Sequence, residues 1–123
     1  MDEPNPWGTF LDVKYGPLER IDLQTLIDAN ERPWYNQTLC QVNDCVVRLG
    51  IVEGDFIWHK HDNEDEFFYV IDGRLLMDLE DRTVEIEPRT GFTVPSGVLH
   101  RPRAPERTVI LMVEGARVVP TGD

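Results

Sequence analysis

Apolar residues in the second half of the chain fall into short runs, each cut off by a turn. Leu75, Met77 and Leu79 alternate with Leu76, Asp78 and Glu80, the period of two that turns one face of a strand to a core. Glu66 to Ile71 forms the preceding strand, and Asp72-Gly73 between the two is a hairpin turn signal. Glu80-Asp81-Arg82 turns the chain, Thr83 to Glu87 returns, and Pro88 to Gly91 turns it again. Upstream, Val46 to Val52 is a β-branched run, Gly54-Asp55 a turn, and Phe56 to His59 a resumption. Phe92 to Val94, Val98 to His100, Thr108 to Glu114 and Ala116 to Val119 read as further short strands.

The N-terminal part reads differently. Pro4, Pro6, Gly8, Gly16 and Pro17 break it up. Ile21 to Asn30 is predicted as a short helix, with Asp22 as N-cap and Leu23, Leu26 and Ile27 on one face. Glu31-Arg32-Pro33 ends it, because a residue before proline avoids helical angles. Strand character begins at Leu39. About eight to ten short strands with frequent turns predict an all-β fold, two small sheets around one cavity. We expect one domain over 1–123, with a barrel core about 39–119 and an N-terminal helix or irregular arm about 1–38.

Composition narrows the partners. The 123 residues suit one domain, and 41% hydrophobic content is enough for one core. A net charge of -11 repels a phosphate backbone and an anionic lipid surface, so neither nucleic acid nor membrane is expected as a partner. The longest apolar runs, Phe67 to Ile71 and Val109 to Val113, have strand length. The acidic, Pro-rich start lacks the positive flank and apolar centre of an export signal, so a cytoplasmic location is expected. Cys40 and Cys45 are then expected to stay reduced, and a single Cys-x4-Cys pair is a poor zinc site.

The chain has three histidines, His59, His61 and His100. Positions i and i+2 of a strand project to one face, so His59 and His61 could reach one ion together. A hairpin would bring a carboxylate back beside them. Glu64, Asp65 and Glu66 compete for that role, and Glu66 is favoured because it opens the apolar strand. His100, in Pro95-Ser96-Gly97-Val98-Leu99-His100, would complete the set from another strand. The predicted metal ligands are therefore His59, His61, Glu66 and His100, three neutral imidazoles and one carboxylate around a divalent ion.

These residues give the chain its resemblance to a family. Gly54-Asp-Phe-Ile-Trp-His59-Lys-His61, four residues, Glu66, six residues and Gly73 resemble the first cupin motif, and Pro95-x-Gly97-x-x-His100 resembles the second. The match covers most of Val46 to Glu114. It departs in three places. Four residues rather than five separate Gly54 from His59, a usual glycine falls at Arg89, and a frequent asparagine falls at Ala104. The chain is similar to small bacterial cupins, some labelled phosphomannose isomerase-like by fold, a label that fixes no activity. The resemblance implies a double-stranded β-helix, or jelly roll, and a homodimer. It implies a bound Fe, Zn, Mn or Ni, and a small-molecule ligand. The activity expected is that of a metal-dependent isomerase, cyclase or dioxygenase acting on a small anionic or carbonyl-containing molecule. The alternative is a small-molecule or sugar-binding sensor without turnover. No catalytic residue beyond the metal ligands is identified.

Other residues carry paired expectations. Trp58 should point away from the ligands, packed under the N-terminal segment or at a dimer contact. Phe68 and Val70 share the parity of Glu66 and belong to the core or the cavity wall. Arg48 is either a clamp for a substrate carboxylate or an arginine on an outer face or paired with an acid. Arg101 and Arg103 are expected at a solvated rim.

Overall fold

Nine elements follow one another in the computed structural model, which describes residues 5–123. They are β1 (Thr9–Phe10), α1 (Leu23–Ala29), β2 (Trp34–Val42), β3 (Cys45–Asp55), β4 (Glu66–Asp72), β5 (Leu75–Leu79), β6 (Thr83–Ile86), β7 (Gly91–Val94) and β8 (His100–Gly115). Met1 to Pro4, with the first expected breaker, lie outside the described residues. The strands hydrogen-bond in the order β1-β2-β3-β8-β4-β7, and β5 joins β6 to β8. All pairings are antiparallel except β1 with β2.

β8 organises the fold. Its second half lies between β3 and β4, while its first half pairs with β5. The two expected sheets therefore share one strand and wrap a common interior, as in a double-stranded β-helix. That interior holds Val52, Phe68, Val70, Leu75, Met77, Ile86, Val94, Ile110 and Met112, drawn from β3 through β8. Alternation places Arg48, Gly50 and Val52 of β3 inward, and Leu49 and Ile51 outward. The outward pair is covered by Leu26 of α1, with Leu39 and Val109 alongside. Asp22 caps α1 by accepting a hydrogen bond from Thr25 N at 3.2 Å. No helix of the described residues is long and apolar enough to cross a membrane.

Several element boundaries differ from expectation. Val98 to His100 and Thr108 to Glu114 are not separate strands; the ladder is continuous from His100 to Gly115 despite Pro102 and Pro105. Pro102 has no N–H to give, but its carbonyl accepts from Phe56 N. Residues 105–107 bulge between the Ala104–Gly54 and Thr108–Val52 pairs. Phe56 to His59 does not resume as a strand, and His59 makes only a single bridge with His100. Ala116 to Val119 is a turn, fixed by Ala116 N to Asp44 O and Val118 N to Gly115 O. β2 starts at Trp34, earlier than the pattern suggests, because its polar residues Gln37 and Thr38 are themselves buried.

Candidate metal centre

Four side chains converge where β4, β8 and the segment after β3 meet. One ligand atom from each of His59, His61, Glu66 and His100 lies within 4.8 Å of the others, and all four residues are buried. His59 and His61 come from the stretch between β3 and β4. Its approach to β8 is fixed by a reciprocal backbone pair, His59 N to His100 O and His100 N to His59 O, both 2.9 Å. Glu66 opens β4 with its parity inward, and His100 opens β8.

The outer nitrogen of each ring has a partner that only accepts. His59 Nδ1 lies 2.9 Å from Ile57 O, His100 Nδ1 2.9 Å from Val98 O, and His61 Nδ1 2.7 Å from Asp123 Oδ1. Each Nδ1 must therefore carry the proton, which leaves the Nε2 lone pair of a neutral ring turned to the cluster. His61 Nε2 and His100 Nε2 stand 3.3 Å and 3.4 Å from Glu66 Oε1. All three atoms are buried with no hydrogen-bond partner. Buried polar atoms are rarely left so, and a cation satisfies all of them at once. These four residues could hold a metal ion, and their nitrogen and oxygen donors suit several divalent metals.

Burial and neighbouring groups act differently on the members of the cluster. Burial pushes His59 down to about 4, so its ring is neutral at pH 7. Burial opposes charge on His61 as well, but its contacts with Glu66 and Asp123 outweigh that and raise it. Burial alone would raise Glu66. The Glu114 carboxyl, His100 and His61 beside it overcome this and hold it well below the usual carboxylate range.

Behind Glu66 stands Glu114, its register partner on β8. Burial, reinforced by Glu66, pushes Glu114 up. Its Oε1 accepts from Arg48 Nη1 at 2.6 Å. Arg48 also donates to Thr38 Oγ1 and Val118 O, and is 2% exposed. Of the two expectations for Arg48, the acid-paired one holds, within the interior rather than on an outer face. A guanidinium committed to three acceptors has no fork left for a substrate carboxylate.

His59 and Glu66 also line a pocket that opens to solvent. Trp7, Trp34, Phe56 and Phe68 supply much of its wall. Trp7 and Trp34 meet edge-on at 5.0 Å, Trp7 and Phe56 at 4.5 Å, and Phe56 and the His59 ring at 5.2 Å. Phe68 belongs to both core and wall, whereas Val70 belongs to the core.

The remaining candidates fall elsewhere. Asp65 accepts from Ser96 N, and Glu64 lies against Gly115, so Glu66 alone of the three acids enters the cluster. Trp58 is 44% exposed with Arg101 stacked 5.4 Å over its ring, not packed under the N-terminal segment. Trp7 of that segment packs instead on Trp34 and Phe56. Arg101 and Arg103 are not freely solvated; both grip the buried carboxylate of Asp78. Cys40 and Cys45 are free thiols. Sequence reasoning did not single out Asp123, Glu114, Asn36, Trp7 or Trp34. Only Glu114 carried a signal, as a charge with inward parity in an apolar strand.

Residues 46–114 match the model of the cupin domain. Over 80 residues the chain is 40% identical to an uncharacterized protein of Bacillus subtilis, YdbB, a span of 64% of this chain and 71% of that one. It superposes on a cupin-2 domain containing protein from Shewanella frigidimarina with a TM-score of 0.73 and 29% identity, over 77% and 93% of the two chains. A Neisseria meningitidis protein gives 0.71 at 24% identity, over 79% and 99%, a likeness of fold alone. The family match spans all four clustered residues, and with it the chain belongs to the cupin domain family.

Proposed function

We propose that this cupin is a metal-dependent enzyme for a small anionic or carbonyl-containing molecule, with His59, His61, Glu66 and His100 as ligands of a divalent ion. One observation carries the reading. The unpartnered Nε2 atoms and Glu66 Oε1 face one point, and His59 and Glu66 from that cluster also line an aromatic pocket. When bound, the ion supplies Lewis acidity toward a ligand oxygen, the chemistry of isomerases, cyclases and dioxygenases. The protein's own part is to orient the three rings through Ile57 O, Val98 O and Asp123, and to exclude water with Trp7, Trp34 and Phe56. Metal identity stays open among Fe, Zn, Mn and Ni, since nitrogen and oxygen donors accept each.

A second reading, a binding or sensing cupin without turnover, is favoured by one fact. Among the described residues lining the pocket, the ionisable ones are His59 and Glu66, both assigned to the metal, and Tyr35, so no separate carboxylate, imidazole or lysine is at hand. Elemental analysis of protein purified without added metal tests the site. Stoichiometric metal lost in His100→Ala supports it, and no metal in the wild type overturns it. Turnover or oxygen uptake with carbonyl compounds and small acids, lost in Glu66→Ala, separates enzyme from sensor. We also propose a cytoplasmic homodimer. Phe67 and Val113, paired across β4 and β8, stand exposed on the outer face and offer apolar surface to a second copy.

A further inference from the structure

Among the described residues lining the pocket, Asn36 carries a buried, unpartnered polar atom that the metal site does not use. Asn36 lies on β2 with the parity of Trp34, which lines the pocket, and of Thr38, which reaches Arg48 in the interior. Its amide side chain therefore points inward, and it is itself a lining residue. Asn36 Oδ1 is buried and has no hydrogen-bond partner among the described residues. Its backbone N–H is already occupied by Gly8 O at 2.9 Å, so the strand is pinned while the side chain stays free. The residue opposite is Gly50, where a Cβ would come within 2.8 Å of Ile110 Cγ1. The side chains of Ile110 and Met112 fill the space beside Gly50, so the floor next to the amide is apolar.

We infer that Asn36 is a specificity-determining residue: it selects an uncharged aromatic or alicyclic body that carries a hydroxyl or amine donor in addition to the oxygen directed at the metal. The inference rests on the metal-site reading above for the orientation of the ligand. Three features define the class. The walls are aromatic and aliphatic, which suits a flat apolar body. No lysine or arginine lines the pocket, so a second anionic group on the ligand would find no counter-charge. An amide oxygen without a partner among the described residues can accept from the ligand, and a site built to hydrogen-bond a donor rejects the analogue lacking it more strongly than an apolar wall rejects an extra group.

The test compares 4-hydroxybenzoate with 4-methylbenzoate, near-equal in shape and alike in carboxylate, where only the first offers a donor. Binding is read by tryptophan fluorescence, since Trp7 and Trp34 line the pocket. It is measured on the metal-loaded protein and again after chelation. We expect the hydroxy compound to bind at least about tenfold more tightly to the wild type, and the preference to vanish in Asn36→Leu and Asn36→Ala. Equal affinities in the wild type, a preference that survives both substitutions, or binding of neither compound overturns the inference. Metal content of the same samples reports separately on the ligand set. Full metal with no discrimination sinks the role of Asn36 alone. Discrimination without any metal sinks the metal-site reading and leaves Asn36 as a selector.

Discussion

Asp123 Oδ1 holds His61 Nδ1 at 2.7 Å, although the two residues lie at opposite ends of the site's sequence span. The backbone secures that contact from both sides, with Asp123 N donating to Lys60 O and Asp62 N donating to Asp123 O. Gly122 makes the approach feasible. It has a φ of 113°, and a Cβ there would come within 3.1 Å of His59 Cβ. A carboxylate behind a ligating imidazole fixes its tautomer and raises its basicity. Asp123→Ala should therefore weaken metal binding by about 10–100-fold with the fold intact. Chelator competition measures this directly, and an affinity equal to wild type would show that the contact does not tune the site.

Arg48 and Glu114 make the corresponding prediction for stability. Their contact is fully enclosed, and Arg48 alone satisfies Glu114 Oε1. Burial favours the neutral form of Glu114, so Arg48→Ala strands buried acceptors rather than a bare charge and should cost about 1–3 kcal/mol in urea unfolding. Arg48→Met combined with Glu114→Leu replaces both with apolar volume and should recover most of that loss. A double variant as unstable as the sum of its singles would contradict the account.

Asp78 sets an acid limit. Its hydrogen bond from Arg103 leads in holding the carboxyl down to about 2, with burial opposing and Thr83 and Arg101 adding to the effect. A group whose folded pKa is depressed contributes stability above its unfolded pKa and loses it as pH falls through the folded one. The contribution is therefore whole above about pH 4 and fades toward pH 2. Urea midpoints measured from pH 5 to pH 2 should fall less steeply in Asp78→Asn than in wild type. Parallel slopes would remove Asp78 as the cause.

The cluster of His59, His61, Glu66 and His100 was legible because three of its members rest on local spacing. His59 and His61 are two apart, and Glu66 heads an unbroken apolar strand, so sequence distance translates into spatial distance. Trp34 to Thr38 was less legible. A strand that turns Asn36 and Thr38 into the interior lacks the apolar alternation that announces a strand. Pro102 and Pro105 hid the continuity of β8 in the same way, because nothing local tells that Pro102 contributes only its carbonyl. Asp123 depends on a long-range contact with His61, which leaves no short-range signature, while Glu114 showed only as a charge of inward parity whose partners Glu66 and Arg48 the sequence does not name. Trp58 was misplaced for that reason too: parity gave its direction, away from the ligands, but not that Arg101 would cover it.

Arg89 joins the sequence departure to a measurable strain. It occupies the position where the resemblance places a glycine, and its φ is 66°, in the left-handed region. Thr90 N donates to Glu87 O at 3.0 Å across Pro88 and Arg89, which is the form of a type II turn, with proline first and a positive φ second. Arg89 N donates to Val70 O at 2.8 Å, so the turn is locked onto β4. The backbone thus keeps the family's turn without the family's residue. A left-handed non-glycine residue costs about 1–2 kcal/mol, and glycine gives back about 0.5–1 kcal/mol through its greater unfolded-state freedom. Arg89→Gly should therefore stabilise the protein by about 0.5–1 kcal/mol, a rise of a few degrees in the thermal midpoint. Calorimetry checks the sign. A lower midpoint would mean that the arginine side chain contributes more to the folded state than its backbone angle costs.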